Sequence, residues 1–432
     1  MALSTHTFQA PKGTRSFYPK KLAVRRHIES IWRRVSVNHG FDEIDGPMFE
    51  HLDLYTVKSG PQIVSELFSF RRSGGETDYA LRPEFTPTLA RMYATRANTL
   101  PRPTKWFSIG SFFRAERPQR GRLREHVQWN IDIIGEDFPA ADAQIIAAAV
   151  EFLRRLGLTP DDVQIALNHR AHLEATLSQY GFSRLEEAIS LVDAALKLPE
   201  DELRRRALEL GLDAGRWDEF AGLLASRQQA SAGCLVEQLR PLHDALTSMG
   251  LLEWCTYAPS LARGLAYYTG TVFEVHETAG KERAIAGGGR YDKLVELFGG
   301  PPTPAVGMAM GDVVIRLVLE DKGLLEPAER YLPRPDVFLI STGKEEAEQR
   351  FEPMLASLRR ADLHVRHSSR STRNVGKLLG EAARVRARCA VILGDELAQG
   401  NVAVKNLDSG EQDDAVPVDG LEDRLRALVA GR

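Results

Sequence analysis

The chain has 432 residues, of which 43% are hydrophobic and 27% are charged, and its net charge is −3. This composition is typical of a globular protein, and the length predicts two or three domains. The small negative charge argues against a general affinity for nucleic acid, so any RNA contact has to use local basic patches.

The amino-terminal residues lack the apolar core of a secretion signal, and no apolar run approaches the ~20 residues that span a bilayer. Cys234, Cys255 and Cys389 are too far apart for a metal-ligand pattern, and three cysteines do not make a disulfide framework. We therefore expect a cytoplasmic protein with no membrane segment and no structural metal.

The first long element is a helix. Apolar residues recur at helical spacing from Leu22 to His39, and Gly40 supplies a stop. Residues 41–55 then predict an extended segment, in which Pro47 is restricted to an edge or an end.

A hairpin and a helix start follow. Residues 67–71 and 79–83 predict two strands joined by a glycine turn. Thr86 is a good N-cap and Pro87 a good first helical residue. These helix-start signals do not explain why Glu84 lies at the end of the second strand.

The most informative stretch runs from Trp106 to Gly135. Residues 106–113 and 127–134 predict two antiparallel strands. On the second strand, one face is apolar and the other carries Gln128, Asn130 and Asp132. A polar row on an otherwise apolar sheet predicts the floor of a pocket.

The loop between these strands is strongly basic. Five arginines fall within eleven residues, namely Arg114, Arg117, Arg120, Arg122 and Arg124. The arginine fork suits phosphates and carboxylates, so the loop is consistent with a polyanionic ligand. A solvated charged hairpin is the alternative that the charges alone leave open.

The next elements are a helix at Ala140–Leu156 and a strand at Val163–His169. An almost wholly helical block extends to about Leu251, and a strand is predicted at Tyr267–Val275. Three glycines then precede a short predicted helix, and Pro304–Gly311 predicts another strand.

A proline-rich linker at about residues 325–335 precedes a change of pattern. Strands and helices alternate from there, which predicts an α/β domain with a parallel or mixed sheet. We expect a hairpin around Gly400-Asn401 and a last helix at Leu421–Val429.

Several of these stretches resemble one family. F-R-x-E-R-P-Q-x-G-R-x-R-E, from Phe113 to Glu125, is similar to motif 2 of the class II aminoacyl-tRNA synthetases, in its histidyl version. L-R-P-E-F-T at 81–86 and A-R-G-L-x-Y-Y at 262–268 resemble further signatures of the histidyl-tRNA synthetases, and A-G-G-G-R-Y-D at 286–292 resembles the A-G-G-R-Y-D of that family.

The resemblance implies an α+β catalytic domain on an antiparallel sheet at residues 1–330, with a helical insertion at roughly 175–250. It implies a C-terminal α/β anticodon-binding-like domain at 334–432. The helix after Leu22 and the segment around Pro47 resemble motif 1, which implies a homodimer. The implied partners are histidine, ATP with Mg²⁺, and tRNA(His).

The resemblance also implies roles for individual residues. Arg114 and Arg263 are the expected catalytic residues. The expected histidine-binding residues are Glu84, Thr86, Arg114, Gln128, Asp132, Arg263, Tyr267, Tyr268 and Tyr291. The expected ATP-binding residues are Arg114, Glu116, Arg122 and His126. Expected RNA contacts in the last domain are Arg370, Arg373, Lys377 and Lys405.

Four positions depart from the family pattern. Ser16 and Ala266 each stand where an aspartate is usual, and His126 replaces the aromatic that stacks on adenine. Imidazole at that place predicts a charge that varies near pH 6.5. Val314 stands at the place of the motif 3 arginine, and Arg316, about 200° further around a helix, cannot simply replace it.

These departures keep a rival open. A synthetase paralogue that only senses histidine or tRNA, or the synthetase-like regulatory subunit of ATP phosphoribosyltransferase, would not need motif 3. That subunit usually lacks an anticodon domain, so residues 334–432 count against it.

Overall fold

The computed structural model describes residues 8–59, 66–195, 198–263, 267–370 and 372–430. The chain divides into two compact units, Met1–Tyr331 and Leu332–Arg432. None of the helices in the described ranges combines the length and apolar character of a membrane span.

The first half of unit one mixes helices and strands. In chain order it contains α1 (Pro19–Asn38), β1 (Asp42–Glu43), β2 (Phe49–His51), α2 (Asp53–Ser59), β3 (Ser69–Arg71), β4 (Asp78–Leu81), α3 (Thr86–Arg96), β5 (Thr104–Phe113), β6 (Glu125–Ile134), α4 (Ala140–Arg155) and β7 (Val163–His169).

The rest of unit one begins with helices and returns to strands. It contains α5 (Arg170–Gln179), α6 (Leu185–Ala194), α7 (Glu200–Glu209), α8 (Trp217–Ala225), β8 (Gln228–Gln229), α9 (Arg240–Ser248), β9 (Cys255–Tyr257), β10 (Thr271–Glu277), β11 (Ala286–Arg290), α10 (Leu294–Leu297), β12 (Ala305–Gly311) and α11 (Asp312–Asp321).

Nine of the described strands form one sheet, in the order β1-β5-β6-β12-β11-β10-β7-β9-β8. The pairs β1/β5 and β7/β9 are parallel, and the other neighbours are antiparallel. The predicted catalytic fold on a mainly antiparallel sheet is confirmed. Neither the β1/β5 nor the β7/β9 parallel pair was predicted.

One face of this sheet carries the main core. The apolar row of β6 packs beneath α1 and α4, where Trp129 stacks on Trp32 with ring centroids 6.0 Å apart. The Trp129 indole N–H donates to Ser36 Oγ at 2.9 Å, so its polar atom is satisfied inside the core. Burial of these large aromatic side chains stabilises the sheet.

The opposite face carries a second core with a gap in it. α3 and α10 pack there, with Leu89, Tyr93 and Leu294 fully buried. The polar row of β6 points to this side, as the period of two along the strand predicts. α3 and α10 leave a gap on this face of the sheet, and that gap is the candidate site.

The helices α5 to α8 have a hydrophobic core of their own, which includes Leu177, Ala207 and Phe220. The following segment behaves differently, because Val236, Leu242 and Leu246 belong to the core under the main sheet. The part with a separate core is therefore shorter at its C-terminal side than the 175–250 block expected from the sequence.

The second unit contains β13 (Val337–Ser341), α12 (Glu345–Arg360), β14 (Val365–His367), α13 (Val375–Arg384), β15 (Cys389–Leu393), β16 (Asn401–Asn406), β17 (Gln412–Pro417) and α14 (Leu421–Ala430). Its strand order is β14-β13-β15-β16-β17. The first three strands are parallel and the last two antiparallel, so the predicted mixed α/β sheet is confirmed.

Three local predictions are wrong. Helix α3 starts at Thr86, so Phe85 is its N-cap, and no side chain caps it. Residues 41–55 are two short strands and the start of α2 rather than one extended segment. Strand β10 starts at Thr271, four residues later than predicted.

The hairpin expected around Gly400-Asn401 is present, because β15 and β16 are antiparallel neighbours. Its connection contains a 3-10 helix at Asp395–Gln399, which ends at Gly400 with φ of 73°. Glycine and asparagine mark both helix ends and hairpin turns, so composition alone could not show this 3-10 helix.

Candidate active site

The arginine loop between β5 and β6 is closed by backbone hydrogen bonds. Arg114 N donates to Arg124 O at 2.9 Å, and Gln119 and Arg122 exchange a pair of bonds at 2.9 Å. Gly121 has a φ of 74°, which a residue with a side chain rarely adopts. The loop is therefore an ordered structure, unlike the solvated hairpin that the charges alone left open.

Beside the loop lies a pocket with a cavity volume of about 50 Å³. Its lining consists of Glu84, Thr86, Arg114, Gln128, Asn130, Arg263, Tyr267, Tyr268, Gly287, Tyr291, Gly307, Met308 and Ala309. Eight of the nine residues expected to bind histidine are in this set, and Asp132 is not.

Two polar atoms of the floor have no hydrogen-bond partner within the described ranges, Gln128 Oε1 and Asn130 Nδ2. Both side chains are buried. Buried polar atoms are rarely left without a partner, because the lost hydration is not replaced. One acceptor and one donor on the same floor are what a polar ligand would satisfy.

Asp132 lies one layer below the lining. Its Oδ1 accepts a hydrogen bond of 2.5 Å from the Tyr291 hydroxyl, whose ring is part of the wall. Burial raises the pKa of Asp132 to about 7, and the hydrogen bond from Tyr291 opposes that rise. A Cβ at position 307 would lie 1.8 Å from Asp132 Oδ1, so the carboxyl fits only because residue 307 is glycine.

One wall consists of aromatic hydroxyls. The Tyr267 hydroxyl donates to Glu84 Oε2 at 2.8 Å, and the rings of Tyr267 and Tyr268 lie 4.9 Å apart. Burial, followed by the charge of Glu84, raises the pKa of Tyr267 well above its usual value. Tyr267 is therefore a neutral donor that orients the Glu84 carboxylate.

A fixed cation closes the other wall. Arg263 forms an ion pair with Glu274, and His276 Nε2 contacts the second oxygen of Glu274 at 2.9 Å. Burial would raise the pKa of Glu274, but the hydrogen bond from His276 and the charge of Arg263 lower it to about 2. Glu274 is therefore a permanent anion that holds Arg263 in one orientation.

The ATP-binding candidates lie at the outer end of the polar row. Arg122 forms an ion pair with Glu116, and Arg114 Nε donates to Pro83 O at 3.3 Å. Burial, together with the charges of Arg114, Arg15 and Arg122, lowers the pKa of His126 to about 3. The expectation that His126 titrates near pH 6.5 is wrong, since a neutral imidazole is held at all physiological pH values.

The start of α11 offers no arginine to the pocket. Val314 is buried and packs against the loop glycine Gly121, whose Cβ would lie 3.4 Å from Val314 Cγ2. Arg316 forms an ion pair with Glu320 one turn further along the helix and does not line the pocket. Ala266, another departure from the family pattern, lies outside the described residues.

The sequence reasoning gave no role to Gly307, Met308 and Ala309 of the lining, nor to Glu274 and Arg15, which pair with Arg263 and Asp312. A glycine inside a strand is a usable signal of close approach. Glu274 and Arg15 carried no local signal, because their partners Arg263 and Asp312 are remote or lie on another element.

In the second unit the structure brings together two of the four expected RNA contacts. Arg370 and Arg373 lie on the rim of one cavity beside β13 and β14, and Arg373 pairs with Glu348 at 2.9 Å. Lys377 is on α13 and Lys405 on β16, and neither lines that cavity.

A mainly antiparallel sheet, an ordered arginine loop and a pocket on the polar face define a class II aminoacyl-tRNA synthetase catalytic fold. Comparison with known proteins agrees. Residues 13–312 match the family model of histidyl-tRNA synthetase, and residues 336–428 match that of an anticodon binding domain. The chain belongs to the histidyl-tRNA synthetase family.

Individual relatives extend over almost the whole length. The histidine–tRNA ligase of Opitutus terrae is 40% identical over 436 residues, covering 97% of this chain and 98% of that protein. The chloroplastic/mitochondrial histidine–tRNA ligase of Arabidopsis thaliana is 35% identical, covering 93% of this chain and 84% of that protein.

Solved structures share the fold. Histidyl-tRNA synthetase from Nostoc superposes with a TM-score of 0.75 at 24% identity, covering 98% of this chain and 99% of that one. A structure described as an ATP phosphoribosyltransferase regulatory subunit/histidyl-tRNA synthetase, from Bacillus halodurans, has a TM-score of 0.68 at 23% identity, covering 88% and 97%.

The raised pKa of Asp132 predicts a pH-dependent stability. An unfolded Asp has a pKa of about 3.9, whereas the folded value is about 7. Between these values the folded chain binds one more proton than the unfolded chain, so the free energy of unfolding falls as pH rises.

The side chain of Asp132→Asn stays uncharged at every pH. The free energy of unfolding of this variant should therefore lack the part of the decrease that Asp132 causes. We expect a higher urea midpoint than that of the wild type at about pH 8 and a clearly smaller difference at about pH 5. If the urea midpoints of the wild type and of Asp132→Asn changed with pH in the same way between about pH 5 and pH 8, a raised pKa at Asp132 would be contradicted.

Proposed function

We propose that the protein is an active histidine–tRNA ligase that joins histidine to its tRNA through histidyl-adenylate. The observation that carries the proposal is the pocket floor, where Gln128 and Asn130 present unsatisfied polar atoms above the Asp132–Tyr291 pair. Such a floor suits imidazole, a small ring with one donor and one acceptor nitrogen. The names of the full-length relatives support the same activity.

Histidine has three groups to be recognised, and the pocket has a counterpart for each. The ring would lie on the floor against Tyr291 and Tyr268. The ammonium would lie by Glu84, whose charge is oriented by Tyr267. The carboxylate would then lie between Arg114 and Arg263, the two guanidinium groups of the lining.

The first step is phosphoryl chemistry. An oxygen of the histidine carboxylate attacks the α-phosphorus of ATP, the bond from that phosphorus to the bridging oxygen breaks, and pyrophosphate leaves with the electron pair. Arg114 and Arg263 would hold the reactants and neutralise charge, which is the main requirement of such transfers. Mg²⁺ would enter with the phosphates of ATP as part of the substrate.

In the second step a hydroxyl of the terminal adenosine of the tRNA attacks the activated carbonyl and AMP leaves. We propose that the second unit holds the tRNA, in line with its match to an anticodon binding domain. The helices α5 to α8 are the proposed insertion that contacts the acceptor end. The site of action we propose is the cytoplasm.

A homodimer is supported by an exposed aromatic patch. The three-stranded sheet β2-β4-β3 carries Phe49, 50% exposed, and Phe70, 44% exposed, with their ring centroids 5.8 Å apart. Met48 extends the patch next to Pro47, in the stretch that resembles motif 1. Exposed apolar surface of this kind marks an interface between proteins.

The rival proposal is a protein that binds histidine or tRNA without catalysis, and the valine at position 314 is the observation in its favour. Histidine-dependent exchange of labelled pyrophosphate into ATP separates the two, because a binder shows none. A wild-type protein that lacks exchange at saturating ATP and Mg²⁺ would sink the ligase proposal.

Histidine selection should depend on Asp132. Asp132→Ala leaves the Tyr291 hydroxyl without its acceptor, so we expect histidine activation to fall by about 10²-fold or more. Exchange kinetics would measure the loss, and Asp161→Ala, the same change at an exposed position, should have no effect. Near-normal activation by the Asp132 variant would remove Asp132 from the recognition of histidine.

Arg122 and Arg316 form a matched pair, since each is an arginine with one carboxylate partner. If Arg122 serves ATP from the loop, Arg122→Ala should lower ATP-dependent exchange by about 10²-fold to 10³-fold, whereas Arg316→Ala should barely change it. Equal effects of the two variants would exclude this assignment.

The second unit should serve the tRNA and not the adenylate. A fragment ending at Tyr331 keeps the contact of that residue with His27, whose rings lie 4.5 Å apart. We expect it to retain pyrophosphate exchange while charging of tRNA falls by about a hundredfold or more. Sedimentation would verify the dimer, and equal loss of both activities in a dimeric fragment would refute the division.

A further inference from the structure

The segment before α1 is anchored to the arginine loop. Gly13 O accepts hydrogen bonds from Arg124 N at 2.9 Å and Glu125 N at 3.2 Å. Gly13 has a φ of 88°, and a Cβ there would lie 2.6 Å from Pro118 Cγ. The chain therefore turns tightly against the loop and brings Arg15, two residues later, to the outer end of the polar row.

Arg15 is fixed there by the first residue of α11. Its Nη2 lies 3.0 Å from Asp312 Oδ1 and 2.8 Å from Asp312 Oδ2. Asp312 is buried and also accepts a hydrogen bond of 2.9 Å from Val127 N on β6. The ring of Phe17, 4.8 Å from the guanidinium carbon, supports the group from one side.

The ion pair with Asp312 leaves other N–H donors of Arg15 unused. Its Nε and Nη1 are buried and have no hydrogen-bond partner within the described ranges. Asp312 engages only one nitrogen of the fork. The N–H donors of these two nitrogens require acceptor oxygens, and the face of a base would not satisfy them.

The surroundings of Arg15 indicate which ligand provides these oxygens. The charges of Arg114, Arg15 and Arg122 all lower the pKa of His126, so three cations lie within electrostatic reach of this imidazole. Two carboxylates of this region are already engaged, Glu116 by Arg122 and Asp312 by Arg15. A cluster with this excess of positive charge suits a polyphosphate.

We propose that Arg15 binds the β- and γ-phosphates of ATP and supplies the cation that Val314 cannot supply at the start of α11. The assignment deepens the proposed ligase function and rests on it. Arg15 is tied to Asp312, two residues before Val314, so the same helix start holds the charge through an ion pair instead of a covalent side chain.

The chain offers a matched control. Arg25 also lies over the Phe17 ring, 4.3 Å from its centroid, and it pairs with Glu29 at 3.0 Å. Arg25→Ala removes a guanidinium from the same ring without touching Asp312. Arg15→Lys is the conservative variant, which keeps the charge next to Asp312 but has no fork to reach a second acceptor.

The full-length protein and its variants would be compared in two assays. In pyrophosphate exchange, we expect Arg15→Ala to raise the KM for ATP by about tenfold or more, because one charge-assisted contact is lost. The KM for histidine should stay unchanged. Arg15→Lys should raise it less, and Arg25→Ala should leave it unchanged.

Calorimetric titration with α,β-methylene-ATP and with AMP tests the phosphate contact without turnover. Arg15→Ala should weaken the first by about tenfold and leave the second unchanged. An unchanged ATP KM and analogue affinity, or an equal loss for AMP, would overturn the assignment, as would a KM rise for both substrates. Absence of exchange in the wild type would instead refute the ligase proposal, while the titration would still test Arg15.

Discussion

The pocket exists because two adjacent strands lack side chains where other elements need space. A Cβ at Gly287 would lie 2.1 Å from Arg263 Nη1, and one at Gly307 would lie 1.8 Å from Asp132 Oδ1. On the β11–β12 ladder, a Cβ at Gly288 would lie 2.3 Å from Gly307 O. The glycines therefore admit the charged groups of the protein itself into the sheet, and the placement of cation and carboxylate depends on them. A strand this poor in side chains is intrinsically weak, so its neighbours β10 and β12 have to hold it in register.

Three arginines of the site are each tied to a carboxylate before any ligand arrives, whereas Arg114 donates to Pro83 O. Arg263 pairs with Glu274, Arg122 with Glu116 and Arg15 with Asp312. Such partly buried pairs add little net stability, because desolvation of both ions offsets their attraction. Their value here is geometric. A guanidinium held by one edge keeps its other donors directed at the pocket, so less side-chain entropy is lost when a phosphate or carboxylate binds. The carboxylates also moderate the repulsion among the cations.

The sequence predicted some features of the fold and of the pocket floor and missed others. The faces of β6 followed from the period of two, since a shift of one residue would expose Trp129 and bury Gln128 among apolar side chains. The N-cap of α3 was misplaced by one residue because Thr86 turns to the pocket, while Phe85 is fixed by the core. The error at His126 has a different cause. Its pKa depends on Arg15 and on burial, which are properties of the assembled fold and leave no trace in the local sequence.

A phosphate-binding site requires positive charge at one position in space. Any helix, strand or loop that reaches this position can carry the charged side chain. The start of α11 is next to β6 through Asp312 and Val127. A cation can reach this place along the helix, or across it from the segment before α1, as Arg15 does. The side chain at position 314 is then free to pack under the loop, where its methyl groups support Gly121. Absence of a residue from a motif therefore says little about the site until the charges around the same point in space have been counted.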